Sequence, residues 1–204
     1  IEVNPGSLVN VTDSVDYGTI RYTTTASANV TVANDRTEPL NVTSTSITGT
    51  DAGNFTISAG GGERIISPSA SAELNVTFQP ADRGNYSATL RVEHNASGSP
   101  STVSLAGAGG APDYNVTPSA TVDFGNVSVE DGNAQAEVVV ENNGTLVLDV
   151  SDASISGANA SDFSLAAGSA TPPSSVASGS TVTYTVNVAV DSLGQRTAFL
   201  ELAH

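Results

Sequence analysis

The pattern with the most chemistry to offer in this chain is Asn-x-Ser/Thr, the acceptor for N-linked oligosaccharide. It occurs at Asn10, Asn29, Asn41, Asn54, Asn75, Asn85, Asn95, Asn115, Asn126, Asn143 and Asn159, which is 11 of the 16 asparagines. Ser and Thr fill about a quarter of the chain, so chance alone would produce about four such sites. Asn29, Asn41, Asn75 and Asn85 alternate with apolar neighbours, a phase that turns them to solvent and leaves room for a sugar. Seven sites fall in the first half and four in the second, and most do not coincide between halves. That scatter points to a general coat rather than one glycan with a dedicated contact.

Other chemistry is sparse. The two histidines, His94 and His204, stand at equivalent ends of two strands, where exposure explains them better than general-base work does. No Gly-x-Ser-x-Gly, His-Glu-x-x-His or P-loop spacing is present. The chain has no cysteine, so it offers no thiolate, disulfide or cysteine nucleophile. Asp51 with Asn54, and Glu130-Asp131-Gly132-Asn133, group oxygen ligands in turns but lack the alternation and terminal Glu of an EF-hand loop. Asx residues favour such turns for local hydrogen bonding. Gly60-Gly61-Gly62 has no lysine or following helix to cradle a phosphate. The sequence therefore calls for no catalytic residues, no cofactor and no resident metal, with calcium left open at the acidic turns.

Charge narrows the setting. Twenty-one acidic residues face six basic ones, all arginine, for a formal net charge of −15. A lysine-free acidic surface is suited to concentrated salt, where screening relieves self-repulsion, and a halophilic archaeal origin is the expectation. Nucleic acid and anionic membranes are disfavoured partners. No apolar run approaches the roughly 20 residues of a spanning helix, and no leader-like segment opens the chain.

The elements that carry these residues read as two copies of one pattern. Ser14-Val15-Asp16-Tyr17-Gly18 returns as Thr121-Val122-Asp123-Phe124-Gly125. Ser46-Ile47-Thr48-Gly49 and Asp51–Phe55 return as Ser154-Ile155-Ser156-Gly157 and Asn159–Phe163. Asn34 matches Asn142, Leu40-Asn41-Val42 matches Leu148-Asp149-Val150, and Gly84–His94 matches Gly194–His204. Within each copy apolar residues alternate, as in Leu74, Val76 and Phe78, or Tyr86, Ala88, Leu90 and Val92. This is the period of half-buried antiparallel strands. The fold class is all-β: two tandem immunoglobulin-like β-sandwich domains. The first is expected over 1–107 and the second over 113–204, with a flexible Gly/Ala-rich linker at 108–112 ending in proline.

These residues resemble the ASH (Hydin-like) branch of immunoglobulin-like domains, tandem copies of which occur in bacterial and archaeal surface proteins. Tyr17-Gly18, Asn34, Gly49, Phe55, Phe78-Gln79-Pro80, Gly84 and Leu90 carry the resemblance in the first copy. Phe124-Gly125, Asn142-Asn143-Gly144, Gly157, Phe163, Gly194 and Leu200 carry it in the second, which has Val188-Ala189-Val190 in place of Phe-Gln-Pro. The resemblance rests on packing and turn residues, so it implies the fold and speaks to function only by analogy.

The copies differ at their ends. After His94 the first continues through Asn95–Gly98 to Ser101–Ala106, a hairpin and final strand, whereas the second reaches His204 without it. Ile1–Leu8 is an extra extended segment before the first copy. A sandwich short of one strand offers an unpaired edge, so Ile1, Val3 and Leu8 are the apolar residues of a candidate donor strand for the next subunit. The expected function is a non-enzymatic, N-glycosylated extracellular subunit of a cell-surface filament or envelope. It would partner itself head-to-tail, or other surface proteins. The alternatives are an adhesin or ligand-binding module of a longer surface array, a fragment whose strand lies beyond residue 204, or an accessory region of a carbohydrate-active enzyme. Aromatic residues are only 5%, which counts against sugar recognition.

Overall fold

A computed structural model describes residues 9–204, so Ile1, Val3 and Leu8 of the candidate donor strand lie outside the described residues. Apart from two short 3-10 turns the described chain is strand and loop, and it forms β-sandwiches of immunoglobulin type. It divides into two compact units, one ending at Gly110 and the other beginning at Ala111.

The first unit contains β1 (Val9–Val11), β2 (Ser14–Arg21), β3 (Ala26–Asn34), β4 (Leu40–Thr48), β5 (Phe55–Ala59), β6 (Arg64–Ile66), β7 (Ala70–Phe78), β8 (Gly84–His94) and β9 (Ser101–Gly110). One sheet has the order β1-β3-β7-β5 and the other β2-β9-β8-β4-β6. The alternation read from the sequence decides which side chains meet. Val30 and Val32 on β3, and Leu74, Val76 and Phe78 on β7, turn inward. They pack with Leu90, Val92, Val103 and Leu105 of the opposite sheet in one buried cluster. Burying each such side chain contributes about 1.5–3 kcal/mol.

Local chemistry explains the repeated Asp-aromatic-Gly motif. The β2–β9 register shifts between Asp16 and Thr19. Gly18 takes a φ of +64° and donates its N–H to Asp16 Oδ1 at 2.8 Å. This bulge lets Tyr17 pack against Phe55 and Phe78, with ring centroids 6.0 and 5.4 Å away. Its hydroxyl donates to Val76 O at 2.8 Å. Burial pushes the Tyr17 phenol up to about 12, against about 10 in an unfolded chain. The folded unit holds that proton more tightly, so the contribution is full below pH 10 and is lost as pH rises towards 12. Tyr17→Phe should flatten the fall in unfolding midpoint over that window, and cost about 1 kcal/mol at neutral pH for the lost hydrogen bond. An unchanged alkaline slope in a pH-resolved melt of that variant would show that another group carries it.

The second unit contains β10 (Tyr114–Thr117), β11 (Asn133–Asn142), β12 (Leu148–Val150), β13 (Asp152–Ser156), β14 (Phe163–Leu165), β15 (Ser174–Val176), β16 (Thr181–Ala189) and β17 (Phe199–Ala203). Its first sheet, β10-β11-β16-β14, has the same order as its counterpart. Its second sheet is reduced to two pairs, β12-β15 and β13-β17.

A buried asparagine pins the same corner in both units. Asn34 donates to Glu38 O and Ile66 O, both at 2.9 Å, and accepts from Arg36 N at 3.1 Å. Asn142 donates to Leu146 O and Val176 O, both at 2.8 Å, and accepts from Gly144 N at 2.9 Å. Each amide ties the end of one sheet to a strand of the other.

One boundary differs from the expectation. Residues 108–110 are not linker but the end of β9, where Ala108, Gly109 and Gly110 pair with Thr19, Ile20 and Arg21. The glycines that read as flexible are demanded by close packing. A Cβ on Gly107 would lie 2.5 Å from Phe78 Cε1, and one on Gly109 would strike the Asp82 carbonyl.

Candidate interaction site

The first unit shows how the sandwich closes. Strand β9 lies between β2, to which it is parallel, and β8, to which it is antiparallel. Val103 stands opposite Leu90, Leu105 opposite Ala88, Gly107 opposite Tyr86 and Gly109 opposite Gly84. With this strand in place Leu90 and Val92 are fully buried.

In the second unit the matching place holds no strand among the described residues. β17 pairs only with β13, and residues 121–128, which match β2, form no strand. Between them opens a slot of about 1530 Å³. Val122 and Phe124 line one wall and Leu200 and Leu202 the other, over a floor that includes Val186 and Val188. Leu200 and Leu202 are half-buried where Leu90 and Val92 are fully buried. Phe199, 68% exposed, and Leu193, 93% exposed, stand on the slot's lining. The result is a slot of mixed polar and apolar lining, with these apolar side chains at its centre, next to an unpaired strand edge.

One wall repeats a turn of the first unit. Gly125 has a φ of +64° and donates to Asp123 Oδ1 at 2.8 Å, repeating the Asp16–Gly18 turn without a neighbouring strand. Phe124 turns inward onto Phe163, as Tyr17 does onto Phe55. The floor differs. Val188 pairs with Phe163 as Phe78 pairs with Phe55, so valine replaces the central ring of the first unit. Arg196 stands where Tyr86 would, forming an ion pair with Asp162 at 2.6 Å and donating to Ser192 O at 3.1 Å. Sequence reasoning did not assign Val188 or Arg196 a role. The signal was present in the departure from Phe-Gln-Pro.

The eleven sequon asparagines are placed as follows. Asn10, Asn29, Asn41, Asn85, Asn95, Asn115, Asn126 and Asn143 are exposed. Asn54, Asn75 and Asn159 are half-buried. Asn75 is less free than its phase implied. It stands directly opposite Asn29, donates to Asn29 Oδ1 at 2.8 Å and accepts from Ser58 Oγ. The two buried asparagines, Asn34 and Asn142, are both outside sequons.

The histidines do not match each other in exposure. His94 is buried at 7% exposure, which corrects the expectation of an exposed strand end. Its Nε2 lies 3.0 Å from Ser101 Oγ, and its backbone N–H donates to Ser99 Oγ at 2.9 Å. Burial lowers its pKa, while Glu93 pulls upward and Arg36 downward. It pins the hairpin leading into β9. His204 is exposed and rests edge-on against Tyr114, with centroids 4.1 Å apart.

The acidic turns serve the backbone. Asp51 accepts from Ser87 N at 2.9 Å, and its counterpart Asn159 accepts from Thr197 N at 3.1 Å. Glu130 donates its N–H to Ser128 Oγ at 3.2 Å. Among the described residues no group of three or more His, Asp or Glu side chains is gathered for a metal, and no helix is long and apolar enough to cross a membrane.

Residues 7–102 match the ASH family model. Its full description is "Abnormal spindle-like microcephaly-assoc'd, ASPM-SPD-2-Hydin". The ASH match thus spans most of the first unit. A comparison with curated proteins returns no match. Among solved structures, an ASH/PapD-like domain of human CEP192 is similar at 17% identity and a TM-score of 0.40, covering 52% of this chain and 87% of that one. The E. coli chaperone DraB is similar at 14% identity and a TM-score of 0.38, covering 87% and 86%. The Vibrio cholerae VesB protease is similar at 14% identity and a TM-score of 0.41, and the match covers 50% of this chain but only 32% of that one.

Proposed function

We propose that this chain is a non-enzymatic, N-glycosylated structural subunit of an extracellular surface filament or envelope layer, in which copies join head to tail by strand addition. The observation that carries this reading is the open slot of the second unit, about 1530 Å³ with Val186 and Val188 on its lining, along which one side of β17 is unpaired. Leaving such an edge bare invites pairing with another chain. A head-to-tail contact that does not close on itself propagates as a filament.

Two further features support it. No sequon asparagine is among the buried residues, so none has to leave a packed core to carry a sugar. With a net charge of −15, like subunits repel each other unless salt screens them, so the reading favours assembly in concentrated salt.

The test is electron microscopy of the chain in molar salt, with and without Ile1–Leu8, beside the intact mass of native material. Filaments from the full chain, none from the truncated one, and a native mass raised by hexose units are expected. Filaments from the truncated chain would overturn the head-to-tail reading, and an unmodified native mass the glycosylated one.

A further inference from the structure

Strand register separates one pair of sequons from the rest. Val9 stands opposite Asn34, and Tyr114 stands opposite Asn142, the matching asparagine of the second unit. One residue further on, Asn10 and Asn115 therefore hold the same place in the two units, and both begin the tripeptide Asn-Val-Thr. Elsewhere the sequons do not recur. The facing pair Asn29 and Asn75, for example, is matched by Glu137 and Thr185.

The shared place is the middle of an edge strand. Among the described residues β1 ends the sheet β1-β3-β7-β5, and β10 ends the sheet β10-β11-β16-β14. Val9 and Val11 pack against the first core and Val116 against the second, so the alternate residues Asn10 and Asn115 face outward. Both are exposed, and neither side chain is held by a hydrogen bond to another described residue. Other sequon amides are engaged: Asn95 Oδ1 accepts from Asn41 N at 2.9 Å, and Asn75 donates to Asn29.

An edge strand leaves N–H and C=O groups unpaired along one side, where another chain can pair with them. The edge strands β2 and β5 are each broken by a bulge, which twists an edge away from a partner. β1 and β10 pair with their neighbours without a register shift, so they lack that protection.

We propose that Asn10 and Asn115 carry N-linked glycans that guard these two edges, keeping copies of the chain from pairing side by side through β1 and β10. This rests on the glycosylated reading above and gives two of its sites a task. Neighbouring strands lie about 4.8 Å apart. A pyranose ring on the middle residue of an edge strand is wider than that spacing, so it overhangs the place an added strand would take. Both units have such an edge, which accounts for the one sequon they share. The co-substrate is a lipid-phosphate-linked oligosaccharide. Its bond from C1 to the phosphate oxygen breaks, C1 bonds to the asparagine Nδ2, and one Nδ2 proton leaves with the phosphate. With no described partner to give up, neither amide loses a hydrogen bond on taking the sugar.

Asn115 also lies on the slot's lining, so the test separates guarding an edge from blocking the slot. Glycopeptide masses of native material are expected to show sugar at both Asn10 and Asn115. The chain made without sugar is expected to cluster side by side in molar salt, where its charge is screened. In that chain Asn10→Cys and Asn115→Cys should form disulfide-linked dimers roughly fivefold faster than Asn85→Cys. Asn85 is an exposed control on β8, which lies inside its sheet, and the chain has no cysteine of its own to compete. A maleimide-linked hexose coupled to the Asn10→Cys/Asn115→Cys double variant should disperse the clusters in electron micrographs. The same label on Asn85→Cys should not.

Sugar absent from Asn10 and Asn115 on chains glycosylated elsewhere would overturn the assignment. So would a bare chain that does not cluster, equal dimer rates at the three positions, or equal dispersal by the label on Asn85→Cys. Filaments lost when Asn115→Cys alone is labelled would mean a blocked slot, and would overturn the guard at β10. Each of these results leaves the glycosylated reading standing. Native material with no sugar at all would overturn that reading and this assignment together.

Discussion

Asn142→Ala lowers the unfolding midpoint of the second unit by about 12–24 °C, the shift that about 3 kcal/mol produces in a domain of this size. The side chain is fully buried and makes four hydrogen bonds, two donated at 2.8 Å and two accepted, from Gly144 N at 2.9 Å and from Asp113 N at 3.4 Å. Alanine leaves the carbonyls of Leu146 and Val176 and the N–H of Gly144 without it. Each buried group stranded in this way costs about 1–3 kcal/mol, because water cannot reach it. The second unit is the less able to absorb the loss. Its core cluster has seven fully enclosed residues against fourteen in the first. Asn34→Ala breaks the equivalent pin in the first unit, which has its closing strand and more core in reserve. Scanning calorimetry, with one transition for each unit, checks both variants. A second-unit transition moved by less than about 4 °C in Asn142→Ala would refute the pin.

Gly107→Val in the first unit should cost about 3 kcal/mol, at the upper end of overpacking penalties. The ring it meets has no room to yield, being wholly buried among three other aromatic residues. The informative variant is the double one. Phe78→Val removes the ring and costs stability by itself through lost packing, since large-to-small changes leave a cavity. Combined with Gly107→Val, the two side chains share the space, and the pair should cost about 2 kcal/mol less than the sum of the singles. Denaturant midpoints of the first-unit transition measure all three. Strict additivity would mean that Phe78 is not what makes residue 107 glycine. The same cycle bears on the second unit, where valine stands at the ring's position already.

Much of this fold was legible in the amino-acid order. Alternation at Leu74, Val76 and Phe78, and again along β8, identified strands and their inward faces, because a period of two has no other physical reading at that length. Matching Gly84–His94 to Gly194–His204 located the place where a strand is not found, since the repeat supplied its own template. What escaped was set by distant contacts. Gly109 read as part of a loose linker because glycine signals freedom locally, whereas here it answers the carbonyl of Asp82, as Gly107 just before it answers the bulk of Phe78. His94 read as exposed because it ends a strand, and nothing nearby in sequence announces that Ser99 and Ser101 fold back over it. The pairing of Asn75 with Asn29 joins positions 46 residues apart, and depends on a register that no single strand reveals. The site was readable as a gap, but the side chains that replace the first unit's rings there were not. Val188 and Arg196 look like ordinary substitutions until Phe78 and Tyr86 are seen to occupy the same places.

The two pinned corners carry a consequence for how such a chain is made. Oligosaccharide transfer reads a three-residue code and has no view of the finished interior. Asn34 and Asn142 must enter that interior bare, and what spares them is only the residue two places on, Arg36 in one case and Gly144 in the other. Arg36 touches the pin through its backbone N–H alone, a contact any residue but proline could make. A change of Arg36 to threonine keeps that backbone contact, yet it would write an address label on the one amide of that corner that cannot be delivered to the surface. The same protein would fold when made in a cell without the sugar machinery and fail in a cell that has it. The harm would come from biosynthetic timing, before the interior has closed, and not from anything lost in the folded state.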